Sequence, residues 1–198
     1  MRAIARARDQ KLLDGVIKHK YLIPEQAAEL FFTNIKNSEY RKKKAAARLL
    51  TLHRHKLINR FRVPGDPFIY TANGSKYSTK MVHFLAITDV LLEIRKLLPS
   101  SSSFDYEIEY RHHNVVTDLY ISYSNGFRGE SGEYFIEVEL ESSGDIMEKI
   151  QKYERILEKE KLIIVCKHHR LVERIRSEDY YIPVQAIDLP YIKEQWAW

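Results

Sequence analysis

The stretch Phe135-Ile-Glu-Val-Glu-Leu-Glu141 sets three carboxylates, Glu137, Glu139 and Glu141, at alternate positions of what otherwise reads as a buried strand. Side chains alternate across a strand, so Ile136, Val138 and Leu140 are expected on a core face and the three glutamates on the opposite one. Phe104-Asp-Tyr-Glu-Ile-Glu-Tyr110 repeats the pattern, with Phe104, Tyr106, Ile108 and Tyr110 apolar-side and Asp105, Glu107 and Glu109 opposite. Between them Val115–Tyr123 contributes Leu119 and Ile121 to one face and Asp118 to the other. Like charges directly opposed on neighbouring strands repel by a few tenths to about 1 kcal/mol per pair, so something must offset them. Solvent suffices on an exposed antiparallel sheet. A divalent cation is the alternative: hard oxygens from Asp118 and Glu137, with a backbone carbonyl and waters, suit Mg²⁺ or Mn²⁺.

The elements that would position these groups follow from the pattern around them. After the acidic strand, Ser142-Ser-Gly-Asp145 turns the chain, with Asp145 and Glu148 spaced as a helix cap and its reciprocal partner. Ile146, Ile150, Tyr153 and Leu157 form the buried stripe of the helix that follows, and Lys149 and Tyr153, one turn apart, face the acidic strand end. Leu162-Ile-Ile-Val-Cys166 is short and uniformly apolar, as a central strand joined in parallel through a crossover helix would be. The chain's single cysteine, Cys166, reads as a buried reduced thiol.

The first half has a different composition. Residues 1–98 hold 20 Lys and Arg against 8 Asp and Glu, a net of +12, whereas residues 99–198 hold 12 against 19, a net of −7. Such a split suggests that one half binds a polyanion and the other carries carboxylates for a separate purpose. The change of sign falls at Pro99-Ser-Ser-Ser-Ser103, which sets the expected boundary between a domain at 1–98 and one at 99–198. No apolar run approaches the roughly 18 residues of a membrane span, and the start lacks a hydrophobic signal core, which together suggest a cytoplasmic protein.

Within 1–98 the periodicity predicts a helix over 8–19, a second opened by Pro24, and a third from Ser38 through Leu52. Two short strands, Ile58–Val63 and Phe68–Ala72, are joined by the turn Pro64-Gly-Asp-Pro67. Three helices and a β-wing make the winged helix-turn-helix pattern, whose third helix enters the major groove. Arg41, Lys42, Lys43 and Lys44 crowd the start of that helix, Arg48 follows one turn on, and Arg60 and Arg62 share a face of the wing. Cations at a helix start oppose its dipole, so an external anion, the backbone of double-stranded DNA, is the expected partner. His53 and His55 lack a zinc-spaced partner and are expected to cover the helix end. A further helix over 79–98, with His83, Ile87, Val90, Ile94 and Leu97 in a stripe, either joins the domains or makes a homodimer contact. The tail Glu194-Gln-Trp-Ala-Trp198 offers Trp196 and Trp198 as a partner-binding peptide or as packing for its own domain.

Strand, strand, acidic strand, helix, strand, with Thr117-Asp118 on the second strand and Glu137-Val138-Glu139 on the third, resembles the PD-(D/E)XK nuclease fold. With the basic winged helix, His83–Asp89, and the acidic run followed by Lys149-Ile-Gln-Lys-Tyr153, about residues 10 to 170 resemble the replication-relaxation family of plasmid and phage proteins in Gram-positive bacteria. The resemblance implies an α/β (α+β) mixed-sheet domain and a role in replication or maintenance of mobile DNA. It also implies a magnesium-dependent endonuclease site: Asp118 and Glu137 holding the ion, Glu107 or Glu109 completing its shell, and Glu139 orienting or deprotonating water. The nuclease motif ends in lysine where this chain has Glu139, which leaves Lys149 as the substitute cation. The rival expectation is a non-catalytic DNA-binding regulator whose second domain serves dimerisation or partner docking.

Overall fold

A computed structural model describes residues 7–62, 67–75, 78–98, 103–125, 130–141, 145–158 and 160–189. The expected wing turn at 64–66, most of the Pro99–Ser103 boundary, Ser142–Gly144 and the tryptophan tail lie outside these residues. The chain is mixed α and β and divides into two compact units, one ending at Leu92 and the other beginning at Glu93. No helix among the described residues is long and apolar enough to cross a membrane.

The first unit holds α1 (Ala7–His19), β1 (Tyr21–Leu22), α2 (Pro24–Phe31), α3 (Ser38–Arg54), β2 (Ile58–Arg62) and β3 (Phe68–Ala72). Its three strands form an antiparallel sheet in the order β1-β3-β2. Local chemistry sets the boundaries. Pro24 occupies the first turn of α2, where its missing N–H costs nothing, and the Asn37 side chain accepts from Tyr40 N at 2.8 Å to cap α3. At the other end of α3, His53 Nδ1 lies 3.1 Å from Ile58 O, so the histidine does cover the helix end. Gly15 permits α1 to meet α2: a Cβ there would sit 2.1 Å from the Phe31 ring. Leu12, Val16, Leu22, Ala28, Leu49 and Ile58 fill the core.

Helix α4 (Met81–Leu97) spans the division between the units. Of its expected stripe, Ile87, Val90 and Ile94 are buried, joined by Phe84, Leu91 and Thr88. Buried His19 meets Thr88 Oγ1 at 2.9 Å, and Gln26 donates to Leu85 O and Asp89 Oδ1. Burial, with Lys18 nearby, pushes the His19 imidazole down to about 3, so it packs as a neutral ring.

The second unit is a five-stranded sheet in the order β4 (Ser103–His112), β5 (Val115–Asn125), β6 (Glu130–Glu139), β7 (Lys161–Cys166) and β8 (Val184–Asp188). The first three strands run antiparallel, and β6, β7 and β8 run parallel. Their parallel connections are α5 (Asp145–Tyr153) and α6 (His169–Arg176), as short apolar β7 requires. Asp145 falls inside the first turn of α5 and not at a cap, a correction to the capping-box expectation.

The glutamate face is also corrected. Register sets Phe135, Glu137 and Glu139 beside Leu162, Ile164 and Cys166, and these beside Val184, Ala186 and Asp188. Ile146, Ile150 and Tyr153 of α5 and Leu171, Val172 and Ile175 of α6 pack into one cluster with Phe135, Leu162 and Ile164. The face carrying Glu137 is therefore core. Leu119, Ile121, Ile136, Ile163 and Val165, at the alternate positions, are buried as well. At this level of β6 both faces are buried, so Glu137 is not left to water.

Candidate active site

The β4–β5 register runs unbroken from Ser103↔Ser124 to Ile108↔Leu119 and resumes at Tyr110↔Thr117. The skipped position pairs Glu109 with Asp118, and Glu109 has φ +54, a left-handed conformation uncommon for a residue with a side chain. The break shifts the alternation of β4: Tyr110 stacks on Tyr120 at 4.3 Å, although Tyr120 registers with Glu107. Tyr110 thus does not continue the face of Ile108, as simple alternation predicts. Local breaks of this kind re-aim side chains, and they gather near functional sites.

At the same level β5 leaves β6. Their pairing ends at Leu119↔Ile136, and two side chains take over from the ladder. Thr117 Oγ1 donates to Ile136 O at 3.1 Å, and Asp118 Oδ2 accepts from Val138 N at 2.9 Å. Thr117 and Asp118 thereby hold β5 to β6 on either side of Glu137.

Glu137 is only 2% exposed. Lys149 Nζ donates to its Oε2 and Tyr153 OH to its Oε1, so residues one turn apart on α5 close on both carboxyl oxygens. Desolvation by burial is the main cause pushing the Glu137 carboxyl up, to about 8; the Asp118 charge adds to it, while Lys149 and the Tyr153 hydrogen bond act in the opposite sense. Burial and the Glu137 charge also hold the Tyr153 hydroxyl protonated, as a donor must be. Sequence spacing placed Lys149 and Tyr153 toward the strand end but assigned Tyr153 to packing; its hydroxyl is a direct partner of the carboxylate.

The other expected site residues separate from this point. Glu139 is half-buried, and its Oε1 accepts from Glu141 N at 3.0 Å. Glu141 lies beyond the strand and is exposed. Glu107 is exposed, and no group of three or more His, Cys, Asp or Glu side chains able to hold a metal occurs among the described residues. Glu107 precedes the register break and pairs with Tyr120, and Glu109 sits at the break itself, so neither is gathered with Asp118 and Glu137 into such a group. Asp118 and Glu137 are near enough for the Asp118 charge to help raise the Glu137 carboxyl, and hard oxygen donors of this kind are the chemistry a magnesium or manganese ion takes. Beside Lys149 opens a pocket of about 460 Å³, lined by Asn114, Val116, Asp145, Glu148 and Lys152 among others.

In the first unit the basic residues also divide. Arg41 pairs with Glu29 at 2.5 Å, and Arg48 pairs with Asp9, a carboxylate 6% exposed. Both arginines are half-buried and neutralised within the unit. Lys43 and Lys44 are exposed, Lys44 lying over the Tyr40 ring at 5.0 Å, and Lys42 pairs with Glu39 at 3.3 Å. Arg60 and Arg62 flank the Phe68 ring at 4.1 and 5.6 Å.

No family model matches the chain, and no curated protein does. Among solved structures it is similar to the crystal structure of protein VC1899 from Vibrio cholerae, at 13% identity and a TM-score of 0.37. That likeness covers 96% of this chain and 50% of the other, so the chain spans about half the length of that protein.

Proposed function

We propose that the first unit is a winged helix-turn-helix domain that docks on double-stranded DNA and that the second is a PD-(D/E)XK-like domain with a metal-dependent phosphodiester hydrolysis site. One observation carries the reading: Asp118, Glu137, Lys149 and Tyr153, from two strands and a helix, converge where β5 parts from β6. A carboxylate raised chiefly by desolvation and further by a neighbouring carboxylate costs stability, and such arrangements concentrate at functional sites. Asp118 and Glu137 would hold Mg²⁺ or Mn²⁺, which lowers the pKa of bound water and neutralises phosphate charge. Tyr153 fixes the Glu137 carboxyl. Lys149 would transfer its ammonium from Glu137 to the scissile phosphate, and Glu139, half-buried at the strand end, would orient or deprotonate the attacking water. A role in replication or maintenance of plasmid or phage DNA, in the cytoplasm, is the biological setting this reading suits.

Incubation of supercoiled plasmid with Mn²⁺ tests the site. Wild type should nick it, and Asp118→Ala and Glu137→Ala should not. A second reading, a non-catalytic DNA-binding regulator using the second unit for dimerisation or docking, is favoured by the engagement of both Glu137 oxygens by Lys149 and Tyr153. DNA binding without nicking by any of the three proteins would decide for it.

A further inference from the structure

The second unit carries a strongly basic surface segment that the carboxylate cluster leaves unused. Lys167-His168-His169-Arg170 links β7 to α6, and all four residues are exposed. Outside this run residues 99–198 hold 10 Lys and Arg against 19 Asp and Glu, so a basic run here stands against the local trend. The first turn of α6 holds no acidic residue, so Arg170 stands at the positive end of the helix dipole with no carboxylate of that turn to offset it.

The segment is held in place by its backbone and by one ring. Lys167 N donates to Glu139 O at 2.9 Å, which ties it to the strand that bears Glu137. His169 Nδ1 lies 3.0 Å from Asp188 Oδ2, a carboxylate 4% exposed, which pins the imidazole to the neighbouring strand end. Lys167, His168 and Arg170 are exposed, and the His168 side chain makes no cap hydrogen bond to α6. They follow the C-terminal end of β7, Lys167 three positions beyond Ile164, the register partner of Glu137, and this edge of the parallel strands is where open α/β sheets bind ligands. A phosphodiester backbone approaching Asp118, Glu137 and Glu139 meets carboxylate repulsion, and cations at the flank of the site offset it.

We propose that Lys167, His168 and Arg170 form a phosphate-backbone contact that holds the DNA strand presented to the carboxylate cluster; this rests on the hydrolytic reading of that cluster. Lys167 and Arg170 supply charge-assisted hydrogen bonds to phosphate oxygens, and His168 supplies a ring N–H. The contact is independent of sequence and adds to the docking made by the first unit.

The test uses the full chain and a fluorescent duplex in EDTA, where no cutting occurs, with binding followed across a salt titration. Lys167→Ala with Arg170→Ala should flatten the dependence of log K on log salt by about two, one for each lost phosphate contact, and the charge-conserving pair Lys167→Arg with Arg170→Lys should keep the wild-type slope. Both variants should melt as wild type does, because the altered side chains are exposed. An unchanged slope in the alanine variant overturns the contact, even if wild type nicks plasmid in Mn²⁺. A flattened slope with no nicking upholds the contact and rejects hydrolysis. Failure of wild type to bind the duplex rejects both.

Discussion

The Lys149 ammonium closes on the Glu137 carboxyl from one turn of α5, and Glu137 is 2% exposed on a sheet face shared with Phe135 and Ile164. A charge in that position is tolerable only with its partners, which makes the pair a probe of both stability and function.

Glu137 should make stability fall as pH rises. Its folded pKa, about 8, lies above its ordinary value of 4.5, so between these pH values the native state binds a proton that the unfolded state has lost. The contribution is fully present below about pH 4.5, declines by at most about 1.4 kcal/mol per pH unit, and is gone above about pH 8. Glu137→Gln should remove this decline, ending more stable than wild type at pH 8 and similar near pH 5. Denaturant midpoints from pH 5 to 9 give the comparison; parallel curves for the two proteins would reject it.

Tyr153→Phe deletes the donor to Glu137 Oε1 and leaves that oxygen buried without it. The loss should be about 1.5–3 kcal/mol at pH 8, typical of a hydrogen bond to a charged group, and smaller at pH 5, where the carboxyl is protonated. Urea unfolding at both pH values measures it.

The arginines and lysines of α3 should respond differently. Arg48→Ala strands Asp9, 6% exposed, and should cost about 1–3 kcal/mol of stability. Lys43→Ala with Lys44→Ala should leave the melting temperature within about a degree of wild type, yet weaken duplex binding and flatten its salt dependence by about one unit per lost contact. Equal thermal effects from the two substitutions would erase the distinction drawn between paired and exposed cations.

Much of this arrangement is legible in the sequence. Periodicity marks α1, α2, α3 and α5, the uniform apolar run marks β7, and the spacing of Lys149 and Tyr153 points both toward the acidic strand. Alternation alone misassigns the glutamate face, because it reports two faces of a strand and not what covers them; α6, which covers part of that face, is short but carries a clear apolar stripe of Leu171, Val172 and Ile175 that its spacing makes legible, whereas β8 is a five-residue edge strand with little alternation of its own. The break at Glu109 leaves no trace in residue type, since the residue in left-handed conformation is neither glycine nor asparagine. Charge counting likewise cannot separate Arg41 and Arg48 from Lys43 and Lys44, because Glu29 and Asp9 reach them across helices 12 and 39 residues apart in sequence. The Lys167–Arg170 run carries no periodic or motif signal, and its place beside Glu139 depends on parallel pairing.

Cys166 should be inert in the native protein. It is fully buried, and burial with the Glu139 and Asp188 charges pushes its thiol up to about 12. A thiol-reactive disulfide reagent at pH 8 should react only at the rate of unfolding, and immediately in denaturant. Fast labelling of folded protein would contradict the burial.

Metal binding at the carboxylates is tested most directly by soaking crystals in Mn²⁺ and reading anomalous density. A peak within coordination distance of both Asp118 and Glu137, with Lys149 withdrawn from Glu137 and the peak lost in Asp118→Ala, is the expected result. No peak there at millimolar Mn²⁺, with Lys149 still seated on Glu137, would contradict a metal-dependent site and leave the cluster as a buried ion pair.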